Sequence, residues 1–211
     1  SGERPFDFGR FSSNSFRRLF GGSDAEVAAN LIAVRAPFHD GTSTEYARAM
    51  GDLQNFVGML AASTRLIEAL VARTSDRTDA PVVVSGISLG GWACNLHRAC
   101  FDTADRYVPM FAGAALDDLF VSSVYRQLTA EAARNRPETL HEVLNFESEF
   151  NAVDTKTCTP LLARYDRIIE FERQRYCYAG MPLSVLNRGH VTGSLATETL
   201  RTHIVEQLPS G

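Results

Sequence analysis

The sequence lacks most of the features that mark nucleic-acid-binding and membrane proteins. Lys156 is its only lysine, and the arginines are scattered, with Arg17-Arg18 as their longest cluster. The 211 residues carry a formal net charge of −4, so no basic surface is expected to attract nucleic acid or an anionic membrane. No apolar run approaches the roughly 20 residues that span a bilayer, and the N-terminus has no signal-peptide pattern. We therefore expect no nucleic-acid partner and no membrane span.

Cysteine is scarce and shows no paired spacing. Cys94, Cys100, Cys158 and Cys177 form no CxxC motif, and the first two fall on one predicted helix. This spacing favours reduced, partly buried thiols over disulfides, and hence a reducing, cytoplasmic compartment. No group of residues resembles a metal site, so we expect no metal.

The rest of the composition is that of an ordinary globular domain, with 45% apolar and 22% charged residues. Short apolar runs and helical periodicities alternate along the chain. Strands are predicted at 4–8, 31–36, 82–85, 107–113, 160–165 and 181–187, and helices at 45–73, 89–100, 117–150, 167–176 and 192–208, with Pro137 dividing the third of these helical segments. This alternation predicts an α/β fold, a three-layer sandwich with a mostly parallel sheet, in a single domain over residues 1–211.

One serine lies between two glycines where a predicted strand meets a predicted helix. The segment Gly86-Ile87-Ser88-Leu89-Gly90 has the pattern G-x-S-x-G in the strand-to-helix setting of a nucleophile elbow. Glycines let the backbones approach closely at such a strained turn, and the helix N-terminus directs N–H groups at an oxyanion. Ser88 is therefore the candidate nucleophile. The alternative is a glycine-rich turn without chemistry.

A serine hydroxyl is a poor nucleophile unless a general base, usually a histidine, removes its proton. Among the five histidines, His190 follows the last predicted strand. The loops that follow parallel strands share one edge of the sheet, so His190 can meet Ser88 there. His190 is thus the candidate base, and capping of the next helix is its alternative role. His97 lies about two and a half turns beyond Ser88 on the same helix and should point away.

The base needs a carboxylate to orient it. Asp166 directly follows the predicted strand 160–165 and gives the chain order Ser, Asp, His. An aspartate at this place also suits a helix cap, so both roles stay open. Asp117 and Asp118, shortly after the preceding strand, are the alternative acids.

An oxyanion hole requires two N–H donors. The N–H of Leu89 is expected to be one of them. The second is expected from the loop Gly9-Arg10-Phe11 after the first predicted strand, with Arg10 as the favoured donor and an ordinary glycine turn as the alternative.

Together these motifs resemble the α/β-hydrolase superfamily over most of residues 4–208. The resemblance depends on GISLGG at 86–91, on Asp166 at a strand end and on Gly189-His190. Segments 9–18 and 52–70 are also similar to a poorly characterised branch of α/β-hydrolase-domain proteins. Two departures stand out: Phe8-Gly9 replaces the His-Gly of many members, and the early antiparallel strands are absent.

The resemblance implies a reduced α/β-hydrolase fold in which residues 114–152 form a helical, cap-like insertion. Apolar side chains of this insertion either line an acyl site or pack on the sheet. The resemblance also implies a serine hydrolase that cleaves carboxylic ester or related acyl bonds of a small-molecule substrate through an acyl-enzyme, without a cofactor. An acyltransferase on the same triad, a non-catalytic binding protein, and a carbon–carbon hydrolase or cofactor-independent oxygenase are the alternatives. No oligomeric state is predicted.

Overall fold

The structure, a computed structural model, describes residues 15–21, 27–39, 42–124, 126 and 135–208. In these residues four short strands form one sheet in the order β1-β2-β3-β4, and every neighbouring pair is parallel. The strands are β1 (Val83–Ile87), β2 (Arg106–Met110), β3 (Leu161–Ala163) and β4 (Ser184–Leu186). Because all four run the same way, their carboxyl ends lie at one edge of the sheet.

Helices cover both faces of this sheet, which confirms the predicted three-layer α/β fold. The helices are α1 (Ser15–Phe20), α2 (Ser43–Met50), α3 (Leu53–Ser75), α4 (Leu89–Cys100), α5 (Asp118–Val121), α6 (Pro137–Leu144), α7 (Glu147–Asn151), α8 (Phe171–Gln174), α9 (His190–Ser194) and α10 (Thr197–Val205). Two 3-10 turns lie at Thr155–Thr157 and Arg175–Tyr178. Helices α3 and α4 pack in the core on one face, while α1 and α10 pack on the other.

Alternate residues of the strands supply the two cores. Tyr107 and Leu162 join the core that contains α3 and α4, whereas Val108, Met110 and Leu161 join the core that contains α1 and α10. Successive side chains of a strand point to opposite faces, and here both faces are covered. This explains why the strands appear in the sequence as continuous apolar runs.

The strand predicted at 31–36 is wrong. Residues 27–39 contain neither strand nor helix, and Leu31 and Ile32 are 42% and 61% exposed. A β-branched, apolar run forms a strand only where a neighbour pairs its backbone N–H and C=O groups. None of the four described strands pairs with this segment. The strand predicted at 4–8 lies outside the described residues.

The long helix predicted at 45–73 is two helices, α2 and α3. Asp52 interrupts it with an extended backbone, and its Oδ1 accepts a hydrogen bond from the Gln54 N–H at 2.8 Å. The aspartate therefore acts as the N-cap of α3, a role that hydrophobic periodicity does not reveal. The helices predicted at 167–176 and 192–208 are likewise divided, the first into a turn, α8 and a 3-10 turn, and the second into α9 and α10.

Helix α3 is, among the described residues, the one helix long and apolar enough to cross a membrane by length and composition. The sequence analysis did not identify it as such a run. In the fold, Phe56, Met59 and Leu60 of α3 are buried in the core, and Glu68 accepts a hydrogen bond from the buried His97. We therefore interpret α3 as a core helix, and the absence of a membrane span stays a prediction.

The segment predicted as an insertion packs part of its apolar side chains on the core. Leu119 and Phe120 are buried, and the Phe120 ring meets the Phe56 ring edge-on at a centroid distance of 5.0 Å. Val121 and Val124 are exposed. Packing against the core thus accounts for the first two residues, and a cap-like role for residues 114–152 stays a prediction.

A buried arginine joins this segment to the helix that follows Ser88. The Arg98 guanidinium of α4 is fully buried and donates to the carbonyl oxygens of Phe150, Val153 and Asp154 at 2.9, 3.1 and 2.8 Å. It also lies 4.4 Å from the centre of the Phe150 ring. These bonds supply donors to carbonyl groups at and just beyond the end of α7.

Arg98→Met should lower the free energy of unfolding by about 3 kcal/mol, because it removes the guanidinium donor from the carbonyl of the buried Phe150 and two further hydrogen bonds beyond α7. Urea denaturation measures the change. Arg73→Met, on the exposed face of α3, is the matched control and should shift stability by no more than about 0.5 kcal/mol. Equal effects of the two substitutions would contradict this role for Arg98.

Candidate active site

Ser88 occupies a strained turn between β1 and α4. Its φ of 55° and ψ of −114° lie where residues with a side chain rarely occur. The Ser88 N–H donates to the Met110 carbonyl at 2.8 Å, and the Ser88 carbonyl accepts from the Trp92 N–H at 3.0 Å. The turn is thus held by β2 on one side and by the first hydrogen bond of α4 on the other.

Crowding, rather than a positive φ, explains the glycines around Ser88. A Cβ atom on Gly86 would overlap the backbone of Gly90. A Cβ atom on Gly91 would lie 2.7 Å from the Met110 carbonyl oxygen and 2.8 Å from the Ala112 Cβ. The two glycines therefore let α4 begin directly against the ends of β1 and β2.

The structure brings together the three residues predicted from three distant parts of the chain. With its proton on Nδ1, the His190 ring donates to Asp166 Oδ2 at 2.6 Å, and Nε2 accepts from the Ser88 hydroxyl at 2.9 Å. The side chains of Asp166 and His190 are 1% and 14% exposed. A hydroxyl, an imidazole and a buried carboxylate thus form one chain of hydrogen bonds at the carboxyl edge of the sheet.

Asp166 makes the contacts expected for both of the roles that the sequence left open, and its catalytic role stays a prediction. Oδ2 faces His190, while Oδ1 accepts from the N–H groups of Ile168 and Ile169 at 2.8 Å each. The second oxygen therefore caps the turn before α8, and these bonds fix the carboxylate in its orientation towards the ring.

The alternative acids Asp117 and Asp118 do not contact His190 in the described residues. Asp117 instead accepts from His141 Nδ1 at 2.8 Å and from Asn145 Nδ2 at 2.9 Å. Burial raises the pKa of Asp118 above its ordinary value. The geometry thus favours Asp166 as the partner of His190, and it reveals a second His–Asp pair at His141 and Asp117.

Other histidines lie away from Ser88. His97 contacts Glu68 at 3.0 Å and the Tyr107 hydroxyl at 3.1 Å, as expected from its place along α4. Burial lowers the pKa of His97 although Glu68 lies beside it. His203 contacts the Thr159 carbonyl at 3.1 Å.

Leu89 is the first residue of α4, so its N–H has no partner within the helix. The helix dipole adds partial positive charge at this end, next to the Ser88 hydroxyl. Both features suit a developing oxyanion. Arg10, the predicted second donor, lies outside the described residues, and its role stays a prediction.

A cleft of about 500 Å³ opens beside Asp166. Its lining is mostly polar and consists of Ser122, Ser123, Val124, Arg126, Asp166, Arg167 and Glu170. In the part of the chain that the structure describes, no three or more His, Cys, Asp or Glu side chains are placed to hold a metal ion.

The thiols are not organised as nucleophiles. All four cysteines are free, and Cys94, Cys158 and Cys177 are buried. Burial raises the pKa of Cys158 and of Cys177 to about 12, so both remain protonated thiols near neutral pH.

Two residues at the end of β2 contact the site, and the sequence analysis gave them no role. The Met110 carbonyl accepts from Ser88, and the Phe111 ring lies 6.0 Å from the His190 ring between centroids. Phe111 has a φ of 51°, which ends the strand predicted to continue to residue 113. A phenylalanine in this conformation has no sequence signal, because its side chain type favours extended backbone.

Neither a family model nor a curated protein sequence matches the chain. Solved structures do. The Pyrococcus horikoshii acylaminoacyl peptidase in an orthorhombic crystal form matches 80% of this chain at 13% identity and a TM-score of 0.52. An acylaminoacyl peptidase in complex with Z-Gly-Gly-Phe-chloromethyl ketone matches 77% at 13% identity and a TM-score of 0.54. The chain spans 28% of the length of each of these proteins.

MGS-MChE2, an alpha/beta hydrolase enzyme from the metagenome of lagoon sediments of Mar Chica, Morocco, matches 70% of the chain at 15% identity. The match covers 68% of that protein, with a TM-score of 0.48. At such identities the likeness to solved structures concerns the fold alone. The acylaminoacyl peptidase matches and the parallel sheet confirm the predicted α/β fold with a mostly parallel sheet, and a reduced α/β-hydrolase fold is consistent with both. Assignment to the narrower branch stays a prediction.

Gly86→Ala should lower the free energy of unfolding by about 1–3 kcal/mol, because the added methyl group forces the turn apart. Gly58→Ala is the matched control. Residue 58 lies inside α3 with no atom near the added methyl group, so alanine should raise stability by about 0.5–1 kcal/mol. Urea denaturation measures both, and an unchanged stability of the Gly86 variant would contradict the crowded turn.

Proposed function

We propose that the chain is a serine hydrolase that cleaves carboxylic ester or related acyl bonds through an acyl-enzyme on Ser88. The observation that carries the proposal is the continuous chain of hydrogen bonds from the Ser88 hydroxyl through His190 to Asp166. These are the distances at which a base can take a hydroxyl proton. The α/β-hydrolase fold supports the same chemistry by analogy.

In the first half of the reaction, Ser88 Oγ attacks the carbonyl carbon of the substrate while its proton passes to His190 Nε2. Asp166 holds the ring in the correct tautomer and stabilises the imidazolium that forms. The carbonyl oxygen becomes an oxyanion, which accepts from the Leu89 N–H and, as we propose, from the Arg10 N–H. The bond to the leaving group then breaks, and the leaving group takes the proton from His190.

In the second half, water replaces the leaving group. His190 removes a proton from the water, whose oxygen attacks the acyl carbon. Breakdown of the second tetrahedral intermediate returns the proton to Ser88 Oγ and releases the carboxylic acid. Every proton transfer uses His190, and the protein contributes position, charge and hydrogen-bond donors without a cofactor.

The proposed substrate is a small molecule with an activated or ordinary acyl bond. Two of the proteins that share the fold are named as acylaminoacyl peptidases, so amides belong with esters in the proposed range. A non-catalytic protein of this fold would not need a serine hydrogen bonded to a histidine that is itself fixed by a buried carboxylate. An acyltransferase would use the same triad, and products formed with added alcohols distinguish it from a hydrolase.

A fluorophosphonate probe should label Ser88, and His190→Ala should slow the labelling by about 10²–10⁴-fold, because the hydroxyl then lacks its base. Mass spectrometry of the digested protein locates the label. His141→Ala removes the histidine of the other His–Asp pair and should leave labelling close to the wild-type rate. Labelling of another residue, or none in folded protein, would refute the proposed function.

Asp166→Asn should lower the rate of aryl-ester hydrolysis by about 10²–10⁴-fold, because an amide favours the wrong imidazole tautomer. Asp117→Asn is the matched control and should leave the rate near that of the wild type. Steady-state kinetics with the two variants decides between the acids. A slow Asp117→Asn variant beside an unaffected Asp166→Asn variant would instead assign the catalytic acid to the loop after β2.

A further inference from the structure

Met110, the last residue of β2, and Phe111, which follows it, contact the two reacting residues Ser88 and His190. The Met110 carbonyl accepts a hydrogen bond from the backbone N–H of Ser88 at 2.8 Å. The Phe111 ring packs near the His190 ring, with 6.0 Å between the two ring centroids. Ser88 and His190 come from opposite edges of the sheet, after β1 and after β4. The segment Met110-Phe111 between them is therefore placed to set their separation.

The backbone of Phe111 is held in an unfavourable conformation. Its φ of 51° lies in the left-handed region, where a bulky residue persists only if its surroundings enforce it. The Phe111 N–H donates to the Leu161 carbonyl at 2.8 Å, and the residue is fully buried. The strained turn thus holds the Phe111 ring in one position beneath the carboxyl edge of the sheet.

The ring of Phe111 fills the space next to α9, the helix that begins with His190. A Cβ atom on Gly193 would lie 2.9 Å from the Phe111 Cζ and 3.2 Å from its Cε2. The planes of the Phe111 and His190 rings are inclined by 56°. The aromatic ring is therefore in contact with both ends of the same helical turn, at His190 and at Gly193.

We propose that Phe111 is a positioning residue that holds α9 and the His190 ring so that Nε2 faces the Ser88 hydroxyl. Met110 holds the backbone of the nucleophile, and the next residue, Phe111, holds the ring of the base. Gly193 contributes to the same positioning, because a larger residue there would press against the Phe111 ring. This inference rests on the proposed function, since it explains how the geometry of the proposed triad is kept.

Two substitutions separate the ring of Phe111 from its backbone turn. Phe111→Leu keeps an apolar side chain and the strained φ, but it removes the aromatic contact. Phe111→Gly relieves the strain and removes the ring. If the ring positions His190, both variants should slow fluorophosphonate labelling of Ser88 by about 10²-fold, as expected for a misplaced reacting group. A glycine variant with the wild-type rate would show that the turn alone matters and would overturn the proposal.

Phe150→Leu is the control for loss of a buried aromatic ring. Phe150 is fully buried, as Phe111 is, but its ring packs on Arg98 and Tyr178. This variant should lose stability in urea and keep the wild-type labelling rate. If it slows labelling as much as Phe111→Leu does, the effect comes from general loosening of the core, and the proposal fails.

Gly193→Ala tests the same contact by changing the residue that faces the Phe111 ring. Its methyl group should push against the Phe111 ring, displace α9 and slow labelling. The double variant Phe111→Leu/Gly193→Ala should label faster than the product of the two single effects predicts, because leucine leaves room for the methyl group. Additive effects in this cycle would contradict direct contact between Phe111 and Gly193 as the cause.

A proton NMR measurement tests the position of the His190 ring without a reaction. In wild-type protein the Nδ1 proton shared by His190 and Asp166 should give a low-field proton NMR signal, which should shift or broaden in Phe111→Leu and Gly193→Ala but not in Phe150→Leu. Should Phe111→Leu fail to fold, Gly193→Ala decides the result by both readouts. Absence of Ser88 labelling in wild-type protein would refute the proposed function, whereas wild-type labelling and an unchanged NMR signal in the variants would refute this inference alone.

Discussion

The hydrogen bond from the Ser88 N–H to the Met110 carbonyl holds the turn on which the site depends. A non-glycine residue in a sparsely populated backbone conformation costs about 1–3 kcal/mol, whereas one such hydrogen bond contributes about 1 kcal/mol net. The bond therefore does not offset the strain alone. The close approach allowed by Gly86 and Gly91 lets α4 pack in the core, and this burial also favours the turn. The result is a half-buried hydroxyl at a sharp corner beside the N-terminus of α4.

The parallel sheet brings the other residues of the site to this turn. Ser88, Asp166 and His190 follow β1, β3 and β4, so they meet because the carboxyl ends of these strands lie at one edge. The inner strand β2 contributes no residue of the hydrogen-bonded chain, yet its last residue contacts Ser88 and the following Phe111 contacts His190. The order of strands thus places the supporting segment between the nucleophile and the base.

Much of this could be predicted from the sequence, and the failures have physical causes. The elbow, the histidine after the last strand and the aspartate after the strand before it follow from local motifs and from the rule that parallel strands share an edge. The strand predicted at 31–36 failed because pairing, rather than propensity, decides whether an apolar run joins a sheet. The break between α2 and α3 depends on one capping aspartate, which periodicity does not detect. The contact of Phe111 with His190 arises only in three dimensions, from a backbone conformation that sequence does not favour.

The central claim is that the turn at Ser88 places its hydroxyl between a base and the N-terminus of α4. A crystal structure of the chain after reaction with a fluorophosphonate tests it most directly. We predict a phosphonyl group bonded to Ser88 Oγ, with one of its oxygens about 2.7–3.1 Å from the Leu89 nitrogen and His190 beside the adduct. An unmodified Ser88 in reacted protein, or an adduct whose oxygens all point away from the start of α4, would contradict the account.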